Sequence, residues 1–133
     1  MDEITVNVET EIHPTEAEEK VKTAVANLFG AVAFETKASH VECVLIAEGR
    51  GREPLDNFRN VLRRDRVRDA ARRVFYAASR EKTVVFFLNK QVAFTGHVSF
   101  SQETGESPLG PIKVVIESEN LREIIDWVAP RTI

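Results

Sequence analysis

Ten of the chain's eighteen basic residues fall between residues 50 and 80, and all ten are arginines. Such a cluster can bind phosphate. Each guanidinium offers a planar fork of donors, and each contact with a nucleic-acid backbone displaces a condensed counterion. The segment holds only four acids, Glu53, Asp56, Asp65 and Asp69, so it is six charges positive in a chain that is three negative overall. Everything outside it is therefore nine negative. The rival chemistry is intramolecular pairing. Asp69 is spaced three or four residues from Arg66, Arg72 and Arg73, and Asp56 is so spaced from Arg59. Each exposed helical pair of this kind contributes about 0.3–0.5 kcal/mol. Four acids cannot neutralise ten arginines locally, and the exclusive use of Arg favours bidentate partners, carboxylate or phosphate. On these residues alone both readings stand.

Other candidate chemistry is thin. Gly49-Arg50-Gly51-Arg52 lies between a strand and a helix, where anion-binding turns occur, but no Lys-Ser/Thr pair follows to complete a nucleotide loop. His13, His40 and His97 are scattered, and none stands at metal-ligand spacing from a second ligand. Cys43 reads as a small core residue and His97 as a surface histidine. The acids Glu9, Glu11, Glu16, Glu18 and Glu19 read as solvated. These observations identify no catalytic residue, no metal site and no cofactor, and the expectation is a protein that is not an enzyme.

A chain of 133 residues with 43% hydrophobic residues can bury a real core within one domain, residues 1–133. One cysteine excludes an internal disulfide, the start is acidic, and no apolar run reaches membrane-spanning length. A cytoplasmic protein with no membrane partner is expected.

The elements that must position the arginines follow from periodicity. Residues 4–12 alternate as a strand with Ile4, Val6, Val8 and Ile12 inward. Thr15 and Glu18 form a capping-box pattern ahead of a helix carrying Val21, Ala24, Val25, Leu28 and Phe29. A strand region follows at about 33–47, with Val44-Leu45-Ile46 placing it away from a sheet edge. Next comes the arginine segment, and it cannot be one straight helix. At 100° per residue, Leu55, Phe58, Val61 and Leu62 share one face while Val67, Ala70, Ala71, Val74 and Ala78 share another, roughly 140° away. The pattern predicts a break near Arg63–Asp65 and a second helix over about 66–79 with Asp65 as its cap. Val84–Leu88 and about 92–100 read as strands joined by a hairpin turn at Asn89-Lys90-Gln91, with Phe86, Phe87, Phe94 and Phe100 as core. After a stiff loop at 101–111, Ile112–Glu117 reads as a last strand, and Ser118 caps a final helix bearing Leu121, Ile124, Ile125 and Val128. The class is α+β, with helices packed on a largely antiparallel mixed sheet.

Four strings, Pro14-Thr15-Glu16-Ala17-Glu18-Glu19-Lys20-Val21, Leu62 through Arg72, Glu106-Ser107-Pro108-Leu109-Gly110-Pro111-Ile112 and Ile125 through Thr132, run in one order nearly end to end. Together they resemble an archaeal group, uncharacterised protein family 0201. The resemblance implies a fold similar to that of the ribosomal protein that binds 5S RNA in the large subunit, and membership of a wider set of RNA-binding proteins. It carries over no catalytic residues.

The leading expectation is a non-enzymatic module that recognises the backbone and shape of structured RNA, ribosomal RNA among the candidates. Its RNA-binding residues would be Arg63, Arg64, Arg66, Arg68, Arg72 and Arg73, with Arg50 and Arg52 added. The alternative is a homodimer in which the basic helix of one copy docks on acidic elements of another. A small-molecule enzyme, motivated by His97 and the proline-rich loop, comes third.

Overall fold

The computed structural model describes residues 3–40, 42–102 and 110–131. Among the described residues twelve elements follow one another: β1 (Ile4–Glu11), α1 (Glu18–Leu28), β2 (Ala33–Ala38), β3 (Cys43–Arg50), α2 (Glu53–Arg64), α3 (Arg68–Ala78), β4 (Ser79–Arg80), β5 (Thr83–Asn89), α4 (Lys90–Phe94), β6 (Phe100–Ser101), β7 (Pro111–Ser118) and α5 (Leu121–Val128). The strands form one seven-stranded sheet in the order β2-β3-β1-β7-β5-β4, with β6 also on β5. Every pairing among the described residues is antiparallel. The expected α+β class is the one observed.

Alternation decides which face is covered. In β1, Ile4, Val6 and Val8 are buried while Thr5 and Glu9 are exposed, and in β5 Val84, Phe86 and Leu88 are buried. Helices α1, α2, α3 and α5 close over that face with their own apolar stripes. A chain of rings ties them to the sheet. Phe29, following α1, stacks on Phe58 of α2 at 4.9 Å, Phe58 faces Phe86 of β5 at 5.8 Å, and Phe75 of α3 meets Phe86 at 4.8 Å. Truncating such a ring to Ala costs about 3–5 kcal/mol, so the helix positions are set from the core outward.

Four local expectations change. The region at 33–47 is two strands, and β2 is an exposed edge strand. The strand expected at about 92–100 is mostly helix α4 and a turn. Asn89 accepts the Val92 N–H at 3.0 Å and starts a helical turn where a hairpin was expected, and only Phe100 and Ser101 pair with β5. Phe86 is core as expected and Phe100 packs against it, but Phe87 is half-buried on the uncovered face and Phe94 is exposed. The caps also differ. Ala17, Val67 and Asn120 precede α1, α3 and α5 without a side-chain cap bond, while Ser118 Oγ instead accepts the Asn120 N–H at 3.2 Å. Most of the loop expected at 101–111 lies outside the described residues.

Candidate nucleic-acid interface

The break between the two arginine helices falls at Asp65-Arg66-Val67, where the phase difference requires it. Asp65 is the C-cap of α2, and the next residue, Arg66, takes the left-handed backbone at φ 58°. The Arg66 N–H donates to Arg63 O at 3.2 Å and the Val67 N–H to Leu62 O at 3.1 Å. That pair of bonds is a Schellman ending, with arginine where glycine is usual. The turn swings α3 away so that Ala71 and Phe75 face the core and Arg73 points outward.

Asp65 is the hub of this corner, not the cap of α3. Its half-buried carboxylate lies 3.0 Å from His97 Nδ1, accepts the Val98 N–H at 3.1 Å and accepts Arg64 Nε at 3.2 Å. Burial alone would raise its pKa, but the bonds from His97, Val98 and Arg64 outweigh that and hold it below the ordinary carboxylate value. Arg64 also donates through Nη2 to Gly96 O, locking the end of α2 to the turn after α4.

A second set of arginines fastens α5 into place. The guanidinium carbons of Arg52 and Arg59 sit 5.1 and 5.4 Å from the Trp127 ring centroid, within cation–π range. Arg59 Nε donates to Trp127 O at 2.9 Å, and Arg52 meets Glu123 at 3.4 Å. Arg72 pairs with Asp126 at 2.7 Å and donates to Ala129 O at 3.3 Å, satisfying a carbonyl at the end of α5. The hydrogen bond from Tyr76 is the main cause of a lowered Asp126 pKa, assisted by Arg72 against a smaller effect of burial. The Tyr76 hydroxyl is pushed upward by burial and by Asp126, which keeps it a donor.

The eight sequence-picked arginines therefore divide. Arg52, Arg64 and Arg72 have internal partners. Arg63, Arg66, Arg68 and Arg73 make no ion pair or side-chain hydrogen bond among the described residues, and all but half-buried Arg68 are exposed. Arg63, Arg64, Arg66 and Arg68 are near in sequence at the α2–α3 corner, and Arg73 follows, exposed, on α3. Arg50 does not join them. It ends β3 opposite Thr5, on the sheet face away from the helices. The expected pairs within the segment give way to pairs across elements: Arg72 goes to Asp126, and Arg59 goes to the Trp127 carbonyl.

Sequence reading missed the Asp65–His97 contact, the Arg59 anchor and the buried Lys90. Asp65 and His97 are 32 residues apart and Arg59 and Trp127 are 68 apart, so local spacing carries no signal for either. No group of three His, Cys, Asp or Glu residues among those described is arranged to hold a metal, and no described helix is long and apolar enough to cross a membrane.

Helices on one face of an antiparallel sheet define an α+β domain. A family model described as RNA binding matches residues 5–118. The chain belongs to the UPF0201 family. It is 44% identical over 128 residues to a UPF0201 protein of Pyrobaculum arsenaticum, covering 96% of this chain and 90% of that one. It is 37% identical over 129 residues to one of Saccharolobus islandicus, covering 97% and 89%. Among solved structures, a UPF0201 protein from Methanococcus jannaschii superposes with a TM-score of 0.83 at 30% identity, over 97% of this chain and 95% of that one. Another UPF0201 crystal structure matches at 0.81 and 33%, over 96% and 94%.

Proposed function

We propose that the chain is a non-enzymatic, cytoplasmic RNA-binding protein that recognises the backbone and shape of structured RNA, ribosomal RNA being one candidate, through the α2–α3 corner. One observation carries the reading: Arg63, Arg66, Arg68 and Arg73 are unmatched by any described carboxylate, although α5 presents acids to Arg52 and Arg72. A surface built only for internal pairing would not leave its outermost guanidiniums without partners. Affinity then comes from phosphate neutralisation, with Arg64 adding donors that Asp65 and Gly96 do not use. Arg52 and Arg72 act from fixed positions, and Arg50 is reached only by an RNA that wraps around the end of β3. The acidic remainder orients approach by repelling RNA from the other faces. The family match over residues 5–118 supports the same reading.

The experiment is binding of a structured RNA hairpin across a salt series, comparing wild type with the triple variant Arg63→Glu, Arg66→Glu, Arg73→Glu. The expected result is a logarithmic fall of affinity with salt and near loss of binding in the variant. Absence of binding at low salt, or indifference to the reversals, overturns the proposal.

A homodimer is the second reading. In place of the expected docking of a basic helix on acidic elements, Val44, Ile46, Val85, Phe87 and Val115, half-exposed on the sheet face away from the helices, favour a second copy there. A mass that stays monomeric over a wide concentration range removes it.

A further inference from the structure

Resting on the RNA reading, and narrowing its ligand, we propose that the groove between α1 and α4 holds one unpaired RNA base stacked on Phe94. The groove has a volume of about 400 Å³, within the range of ligand sites, and Ala17, Lys20, Val21 and Ala24 of the α1 side face Gln91 and Phe94 of α4 across it. Phe94 is 43% exposed although it is among the largest apolar residues of the chain. Its mount is rigid, because the Asn27 amide donates to Ala93 O at 3.1 Å and to Phe94 O at 3.0 Å. An aromatic ring held open on a fixed backbone is the platform that unstacked bases use.

Charge selects the occupant. Lys20 Nζ lies over the Phe94 ring, 5.9 Å from its centroid, so a stacking base takes the place of this exposed ammonium, which swings aside on its flexible stem to meet the nucleotide's phosphate. Arg64 holds Gly96 O, two residues after Phe94, which ties the end of α2 to the turn that follows the groove's aromatic wall. The one carboxylate lining the groove, Glu16, is paired with buried Lys90 at 3.1 Å, and the nearby Glu18 and Glu19 each stand 3.9 Å from Lys22. A base satisfies every part of this arrangement: its π-face meets Phe94, its edge meets the exposed Gln91 amide, and its phosphate meets Lys20. An apolar peptide side chain would offer Lys20 no anion. The preferred RNA is therefore a helix interrupted by a bulge or loop, with the helical part on the arginines and the flipped base in the groove.

The test uses two hairpins matched in phosphate count, one fully paired and one carrying a single bulged 2-aminopurine. Wild type binds the bulged hairpin about fivefold or more tightly, and the 2-aminopurine emission changes on binding. Phe94→Ala removes that preference while leaving affinity for the paired hairpin intact, and Phe94→Trp restores it. Equal binding of the two hairpins by wild type, or a preference that survives Phe94→Ala, overturns the groove site and leaves RNA binding standing. If neither hairpin binds, both readings fall together.

Discussion

Arg72 Nη1 stands 2.7 Å from Asp126 Oδ1, and this contact joins α3 to α5 across 54 residues of chain. Tyr76 donates to the same oxygen at 2.7 Å, and the Arg72 guanidinium lies 5.0 Å from the Tyr76 ring centroid. Its neighbour Arg73 points the other way and has no described partner. Two adjacent arginines of one helix thus differ, one tied to α5 and one exposed without a described partner.

That difference is measurable. Arg72→Ala removes a half-buried set of bonds and packing and is expected to lower stability by about 1–2 kcal/mol. Arg73→Ala is expected to change it by less than about 0.5 kcal/mol. In RNA titrations, Arg73→Ala should weaken binding and reduce the salt slope by about one. Urea unfolding and salt-dependent binding on the same two variants check both halves; equal stability losses would contradict the division.

The pH dependence follows from two lowered carboxylates. Asp126 is held down chiefly by Tyr76 and then Arg72, and Asp65 by His97, Val98 and Arg64 against its burial. A group whose folded pKa lies below its unfolded value, about 4 for Asp, stabilises the fold above that value. Its contribution is lost as pH falls through the folded pKa. Asp126 is nearly half exposed, so its share is a few tenths of a kcal/mol, while Asp65, 12% exposed, contributes more. Melting temperature should therefore drop below about pH 4, and Asp65→Asn should flatten that limb more than Asp126→Asn does. An unchanged profile in Asp65→Asn would remove the hub assigned to it.

Arg66 sits at φ 58°, a conformation that costs an L-residue about 1 kcal/mol and glycine almost nothing. Arg66→Gly is expected to stabilise the fold by about 0.5–1 kcal/mol, since the Schellman bonds use only backbone. The same change should weaken RNA binding, because an exposed cation is lost from the corner. A variant that is both more stable and a poorer binder would mark Arg66 as retained for contact. A variant that binds as well as wild type would show the guanidinium idle.

The fold was legible where period alone decides. Ile4, Val6 and Val8 alternate because only one face of β1 is covered, and the 140° phase jump between Leu62 and Val67 demands the break that Arg66 makes. The 92–100 segment misled because Val92, Phe94, Val98 and Phe100 alternate as a strand would. A single cap from Asn89 and the turn at Gly96, φ 87°, override that pattern. The caps expected at Thr15, Asp65 and Ser118 failed for a related reason: Asp65 and Ser118 found other partners, and local propensity does not foresee them. The arginines themselves were legible, but their sorting was not. What separates Arg72 from Arg73 is Asp126, which only the folded chain brings near.

Lys90 gives the sharpest test of the groove's foundation. It is 3% exposed, donates to Glu11 O at 2.6 Å and pairs with Glu16, whose side chain is 12% exposed and also accepts the His13 N–H at 2.8 Å. Removing one partner strands the other as a buried charge. Lys90→Met is therefore expected to cost about 3–5 kcal/mol, more than most single changes in this chain. Neutralising Glu16 at the same time removes that stranded charge while keeping an acceptor for His13. The double variant Lys90→Met, Glu16→Gln should then be more stable than Lys90→Met alone, a sign that additive effects cannot produce if Glu16→Gln by itself destabilises. Urea unfolding of the four proteins in the cycle measures it. A Lys90→Met cost below about 1 kcal/mol would mean that the amine is solvated and that α4 is held to α1 mainly by Asn27.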